Sequence, residues 1–124
     1  MITFLEKNNK FSWLITIIIA VIIFTLSSMT FGGGYGTTNI NATLYHFMAF
    51  VFLCAFLLIS LLKGKNNYPL LLIGILIAIT YGITDELHQF FVPGRYCSIF
   101  DMGVDSLGAL FAGVIYFVRV KMRK

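Results

Sequence analysis

The stretch that decides the fold class reads FSWLITIIIAVIIFTLSSMTF, residues 11–31, and it contains no charged side chain. A helix of about 20 apolar residues crosses the ~30 Å hydrocarbon layer of a membrane, so this stretch is long enough to span it. A secretory signal peptide is the alternative, because Lys7 and Lys10 precede the apolar run and two serines stand near its end. The length of the run and the lack of an A-x-A cleavage site favour a membrane-spanning helix.

Three further segments have the same apolar character. They cover about residues 43–62, 68–91 and 99–119. A chain of 124 residues with 59% hydrophobic and 11% charged residues could not bury so much apolar surface in water. We therefore predict an all-α membrane protein with one domain, residues 1–124, folded as a bundle of four transmembrane helices.

The basic residues predict the orientation of this bundle. Eight of the nine Lys and Arg residues precede the first span, separate the second from the third, or follow the fourth; they are Lys7, Lys10, Lys63, Lys65, Arg119, Lys121, Arg123 and Lys124. Because basic connections stay in the cytoplasm, both termini are predicted to be cytoplasmic and Arg95 to lie outside. Since these charges flank apolar runs, the net charge of +4 indicates membrane topology and not nucleic-acid binding.

The same topology collects most of the other ionisable side chains at the outer face of the cell membrane. They are His46, Asp85, Glu86, His88, Arg95, Asp101 and Asp105, with Gln89 among them. Ionisable groups at membrane depth usually face the bundle interior or a wet cavity, which makes this cluster a candidate functional site.

Helical spacing predicts which of these side chains meet. The third span carries a stripe of small residues that Glu86 continues, formed by Gly74, Ala78 and Gly82. The fourth span carries a matching line, formed by Asp101, Asp105, Ala109 and Gly113, with Gly108 and Ala112 beside it. If the two stripes pack together, Glu86 faces the two aspartates. Asp85, about 100° around the helix, is predicted to point with His88 toward the second span and His46.

Several carboxylates this close need compensation by Arg95, a bound cation or a protonated carboxyl group. No tight ligand spacing such as H-E-x-x-H occurs, so the spacing assigns no metal site and any cofactor stays open. Such crowding suits general acid–base catalysis, for which the candidates are Glu86, Asp85, His88 and His46. The candidates for substrate binding are Arg95, Gln89, Asp101, Asp105 and Ser98.

Some of these residues also have a structural interpretation. Ser98 and Asp101 fit a capping box at the start of the fourth span, so Asp101 would satisfy backbone donors. His46 would be an interfacial histidine that contacts headgroups. Arg95 would form an internal ion pair with one of the acids.

The run TDELHQFFVPGR, residues 84–95, resembles the core motif of the VanZ-like family of small membrane proteins. The resemblance covers about residues 43–113, and the other positions that match are His46, Ser98, Asp101, Asp105 and Gly108, with Pro93, Gly94 and Gly108 as structural motif residues. Tyr45 and its neighbours lack the Asp-Lys pair that often precedes the family's histidine. Asp105 stands where the family frequently has Asn, which adds a negative charge.

The family takes its name from a protein linked with low-level resistance to the glycopeptide teicoplanin, so the resemblance implies an envelope role without specifying a reaction. Our leading hypothesis is a site that binds or processes an anionic lipid headgroup or a lipid-linked cell-wall precursor, because Arg95 and a helix N-terminus stand beside acid–base residues. One alternative is a non-catalytic factor for glycopeptide resistance or envelope binding. A proton-coupled transporter is another, although the spans lack mid-membrane polar residues and a clear inverted repeat. Enzymatic activity and oligomeric state stay open.

Overall fold

The structure is a computed structural model that describes residues 1–30 and 40–123. These residues form a short helix, α1, followed by four long ones, α2 to α5. Their bounds are Ile2–Lys7, Asn9–Ser27, Ile40–Leu62, Tyr68–Phe90 and Ile99–Met122. The four long helices are each apolar and long enough to cross a membrane. The predicted all-α fold with four transmembrane spans is confirmed.

The helix ends differ from the predicted bounds by a few residues. α2 ends at Ser27 and not at residue 31, and its last turn tightens: the Ser28 amide donates to the Thr25 carbonyl as well as to that of Phe24, and the Met29 amide donates to the Leu26 carbonyl. Residue 31 itself lies outside the described ranges. α3 begins at Ile40, before the predicted 43, α4 ends one residue early at Phe90, and α5 continues to Met122. The helix α1 was not predicted, since six residues carry too little periodicity to be recognised.

The starts of the last two long helices follow from local sequence. The Asn67 side chain accepts a hydrogen bond from the Leu70 amide at 3.1 Å, and a proline stands in the first turn of α4. The Ser98 hydroxyl accepts from the Asp101 amide at 3.2 Å and caps α5 in the same way.

α3 is the central helix, and it packs against α1, α2, α4 and α5. Its inward side chains include Cys54 and Leu58, which are fully buried. Gly108 lets α5 approach α3 closely, because a Cβ atom at this position would stand 2.5 Å from the carbonyl oxygen of Phe47.

The predicted packing of the two small-residue stripes is correct in part. Gly82 of α4 lies against Asp105 of α5, and Gly113 of α5 lies against Ile75 of α4. Gly74, however, faces Leu58 of α3, and Gly82 also lies against Phe50 of α3. The small-residue stripe of α4 therefore packs against both α3 and α5.

The three basic segments lie together at one end of the bundle. Buried Glu6 of α1 accepts hydrogen bonds from Arg119 at 2.8 Å and from Arg123 at 2.7 Å, and the Gly64 amide donates to the Tyr116 hydroxyl at 3.0 Å. We call this the basic end. The predicted candidate site lies at the opposite end, which we call the polar end; its residues are His46, Asp85, Glu86, His88, Gln89, Arg95, Ser98, Asp101 and Asp105.

Candidate functional site

His46 joins the acids of two other helices at the polar end. Its Nδ1 atom lies 2.9 Å from Oδ1 of Asp105 and 3.7 Å from Oε1 of Glu86, and its Nε2 atom lies 3.9 Å from Oδ2 of Asp101. His46, Glu86 and Asp105 are buried, at 6%, 0% and 1% exposure, whereas Asp101 is half-buried. We call these four residues the inner cluster. The prediction that Glu86 lies near both aspartates of α5 is confirmed, and His46 is a core residue, not an interfacial one.

Glu86 also binds the start of α5. Its Oε2 atom accepts from the Ser98 amide at 3.1 Å, and its Oε1 atom accepts from the Gln89 side chain at 3.2 Å. In a capping box the acid three residues after the cap would take that amide, and here Glu86 replaces Asp101 in this role. The Asp101 carboxylate is therefore directed toward His46, and only the Ser98 half of the predicted capping box forms.

Asp85 and His88 form a second set of contacts, with α2. Asp85 accepts from the Ser27 hydroxyl at 2.8 Å, and His88 Nε2 lies 2.9 Å from the Ser28 hydroxyl. The His88 ring also stacks on Phe24 at 4.6 Å between centroids. The prediction that this pair points toward the second span and His46 was wrong, because α2 occupies that side of α4.

Ser27 and Ser28 were therefore not predicted as partners in the site. A signal was present, since two adjacent hydroxyl groups at the end of an apolar span are donors that a buried acid on another helix requires.

Arg95 reaches the site through an amide. Its Nε and Nη2 atoms donate to Oε1 of Gln89 at 3.3 and 2.7 Å, and its Nη1 atom donates to the Met29 carbonyl at 2.9 Å. Gln89 in turn donates to Asp85 at 3.5 Å as well as to Glu86. Within the described ranges the guanidinium thus contacts neutral oxygens, and the internal ion pair that we considered for Arg95 does not form.

The turn before α5 gives Arg95 its position. Gly94 has φ of +80°, and the Arg95 amide donates to the Val92 carbonyl at 3.0 Å. A side chain at Gly94 would also meet Thr30, 2.9 Å from the ideal Cβ position. Pro93 and Gly94 therefore act as the turn that the sequence predicts. In the same loop, partial burial, and secondarily the Glu86 carboxylate, raise the pKa of the Cys97 thiol.

The polar end contains groups that can exchange protons, and it also contains groups that can hold a ligand. His46, Glu86 and Asp101 each offer an atom within 4.8 Å of the other two, a spacing at which they could hold a metal ion. The partly buried side chain of Arg95 lies at the edge of the polar end, which we call the rim, in the loop that leads into α5. The site residues predicted from the sequence thus form three groups. They are the inner cluster, the residues Asp85 and His88 that contact α2, and Arg95 at the rim.

A sequence model of the family described as VanZ/LLP1 matches residues 11–120 of the chain. No curated protein and no solved structure matches the chain. The matched region includes every residue of the polar end, in agreement with the resemblance carried by residues 84–95. The chain therefore belongs to the VanZ/LLP1 family.

Proposed function

We propose that the polar end faces the outer side of the membrane, binds an anionic lipid headgroup or a lipid-linked cell-wall precursor, and acts on it through the buried acids. The observation that carries this proposal is the geometry of Arg95. Its contacts with Gln89 and Met29 use three of the five N–H groups of the guanidinium, as far as the described residues show. The remaining N–H groups are suited to phosphate or carboxylate oxygens at the rim.

Two further features support an anionic ligand at the polar end: the start of α5 and the position of the basic end. Arg95 lies in the loop that leads directly into α5, and the helix macrodipole places partial positive charge at the start of α5, where the Glu86 carboxylate already accepts from the Ser98 amide. The basic end lies at the far end of the bundle, so under the positive-inside rule the rim lies at the level of the outer headgroups.

An apolar groove between α2 and α3 supports a lipid as the source of the anion. It has a volume of about 330 Å³, and its lining ranges from Ile19 and Ile23 of α2 to Phe52 and Tyr45 of α3. Tyr45 directly precedes His46, so the groove leads toward the polar end. An acyl chain lying in this open groove would bring its headgroup toward the rim.

The inner cluster supplies the chemistry in this proposal. Glu86 is fully buried and lies 3.7 Å from His46, which in turn contacts Asp105. Such a chain of acids and a histidine can take a proton from a nucleophile and return it to a leaving group. We assign proton transfer to Glu86 and His46, and ligand binding to Arg95.

The experiment is to purify the wild-type protein and the variants Arg95→Gln, Lys65→Gln and Glu86→Gln in matched lipid nanodiscs. Each is incubated with total envelope lipid, and the retained lipids and products are compared by mass spectrometry. Lys65 is exposed at the basic end, so its variant removes one positive charge away from the site. We expect Arg95→Gln to lose at least about tenfold in retained anionic lipid, since charge-assisted bidentate contacts contribute on the order of 1.5–3 kcal/mol each.

The Glu86→Gln variant separates binding from catalysis. A product made by the wild type and lost in Glu86→Gln, with lipid retention unchanged, would establish an enzyme and its substrate class. Equal lipid retention by Arg95→Gln and Lys65→Gln would contradict the proposed binding site. Full product formation by Glu86→Gln would contradict its proposed proton transfer.

A non-catalytic role in glycopeptide resistance is the second candidate, and the contacts of α2 favour it. Asp85 and His88 both bind serines of another helix, which is what a network that only holds helices in place would do. Under this alternative, Asp85→Asn and His88→Ala would lower protein abundance and resistance in proportion, without changing lipid retention per folded molecule.

A further inference from the structure

The proposed function leaves an electrostatic problem at the polar end. An anionic headgroup at the rim would stand beside Glu86, Asp101 and Asp105, which repel it. In the part of the chain that the structure describes, no Lys or Arg side chain contacts these three carboxylates, because Arg95 binds Gln89 and Met29. A group of this charge, with two members fully buried, needs compensation by a cation or by protons before an anion can approach.

His46 is oriented as a ligand of such a cation. Its Nδ1 atom is 2.9 Å from Oδ1 of Asp105, so an ionised Asp105 keeps the proton on Nδ1 and leaves the Nε2 lone pair free to bind a metal. A carboxylate that orients a metal-binding histidine through its other nitrogen is a recurring arrangement in metal sites. Nε2 faces Oδ2 of Asp101 at 3.9 Å, beyond hydrogen-bond distance but consistent with two ligands of one ion.

An unpartnered oxygen gives an independent indication. Oδ2 of Asp105 is buried, in a residue that is 1% exposed, and has no hydrogen-bond partner among the described residues. It belongs to the same carboxylate that binds His46. An orphaned carboxylate oxygen at such depth is costly unless an ion or a proton satisfies it.

We propose that the inner cluster binds one divalent cation of the Zn²⁺ or Mn²⁺ class, with ligands from His46, Glu86 and Asp101, and with Asp105 orienting His46. A site with one imidazole and several carboxylates fits these ions better than the all-oxygen sites of Ca²⁺ or Mg²⁺. This inference rests on the lipid-binding part of the proposed function and replaces its proton-transfer part, because His46 and Glu86 cannot carry protons while they hold the ion. It explains how an anionic headgroup can be bound next to acids, since the phosphate of the headgroup would bind the ion.

The test uses Mn²⁺ and Zn²⁺ as probes on the full chain, purified in detergent after treatment with a chelator. Calorimetry gives the stoichiometry and Kd for either ion, and the electron paramagnetic resonance signal of free Mn²⁺ gives an independent readout. We compare the wild type with Asp101→Asn and Asp85→Asn, which remove the same charge from the same end. Asp101 is half-buried, so its variant is the one best tolerated by the fold, and circular dichroism checks the helix content of each.

We expect the wild type to bind one ion per chain and Asp101→Asn to bind it at least about tenfold more weakly, as loss of a ligand or its support does in metal sites. Asp85→Asn should bind it nearly as the wild type does, because Asp85 contacts Ser27 and Gln89 instead. Absence of binding to the folded wild type would overturn the inference. Equal weakening in both variants would also overturn it, since it would indicate a general effect of negative charge.

Failure of this inference can be told apart from failure of the proposed function. The lipid-retention assay is repeated with chelator-treated protein and with protein reloaded with Mn²⁺. If the folded wild type binds no ion and still retains anionic lipid through Arg95, the metal inference is wrong and the proposed function stands. If the ion binds to the wild type and to Asp85→Asn, but more weakly to Asp101→Asn, and no anionic lipid is retained, the proposed function is wrong and the metal site stands.

Discussion

At the residue scale, Glu86 shows how one side chain can link local and tertiary structure. Its carboxylate satisfies the backbone amide of Ser98, which a residue of α5 itself would otherwise have to satisfy. This leaves Asp101 free to face His46. A single acid on α4 therefore decides both how α5 begins and which charges the inner cluster contains.

Gly108 and Gly103 make a matched pair for testing helix packing in α5. We expect Gly108→Ala to destabilise the protein by about 1–3 kcal/mol, because its methyl group would stand 2.5 Å from the Phe47 carbonyl oxygen. Gly103 has open space around the ideal Cβ position, so Gly103→Ala should be neutral or stabilising by up to about 1 kcal/mol.

The measurement is unfolding of each variant by titration with SDS in mixed micelles, followed by circular dichroism. Equal stability of the two alanine variants would show that α3 and α5 do not approach as closely as the structure places them.

At the element scale, α2 is bound to the bundle by polar contacts at several depths. The Thr16 and Ser60 hydroxyls lie 3.2 Å apart between α2 and α3, the Tyr81 hydroxyl of α4 donates to the Ala20 carbonyl at 2.6 Å, and Ser27 binds Asp85. These contacts extend along α2 and tie it to both α3 and α4.

Ser27→Ala tests the contact between α2 and α4. It leaves an oxygen of the buried Asp85 without its donor, so we expect a loss of about 0.6–2 kcal/mol in the free energy of unfolding. Thr25→Ala is the control, because the Thr25 hydroxyl is exposed and, among the residues that the structure describes, binds only the Val21 carbonyl of its own helix. We expect that variant to stay within about 0.5 kcal/mol of the wild type. The same SDS titration measures both, and a larger loss in the control would contradict the assigned role of Ser27.

At the scale of the whole molecule, the bundle separates its charges by end. Arg119 and Arg123 bind Glu6 at the basic end, and the carboxylates of the inner cluster lie at the polar end. The positive-inside rule then predicts that the basic end faces the cytoplasm.

Cysteine labelling tests this orientation. Cys97 lies near the polar end and Cys54 is fully buried, so a membrane-impermeant maleimide added to intact cells should label the wild type at Cys97. A variant with Cys97→Ser and Lys65→Cys places its accessible thiol at the basic end and should react only after permeabilisation. Labelling of the second variant alone in intact cells would reverse the predicted orientation.

The pH of this reaction matters, because the thiolate is the reactive form. The pKa of Cys97 is raised by partial burial and by the Glu86 carboxylate, so a smaller fraction of it is thiolate at neutral pH than for an exposed cysteine. We expect Cys97 to react more slowly than the thiol at position 65 in permeabilised cells at pH 7. The difference should narrow as the pH rises through the pKa of Cys97.

Much of the architecture was predictable from the sequence because it depends on length, apolarity and charge count. These properties determine four spans and the grouping of basic segments whatever the helices' detailed arrangement. The predicted site residues also gather at one end of the bundle, since they stand at the ends of the three spans that meet there. Helical spacing also predicted that Glu86 lies near Asp101 and Asp105. This prediction was correct because Gly82, a small residue of the same stripe, lets α4 lie against Asp105 of α5.

Only the tertiary structure decided which partner each polar group has. Spacing along a helix gives the direction of a side chain, but not which helix stands in that direction, so Asp85 was assigned to His46 when its partner is Ser27 of α2. The contact between Glu86 and the Ser98 amide, and the orphaned oxygen of Asp105, likewise depend on how three helices meet. Composition and length determine a four-span bundle with a polar end, because burial in lipid depends on how apolar each segment is. Helix packing determines the chemistry of that end. Hydrogen bonds and ion sites depend on distances of a few ångströms between residues that are far apart in the chain.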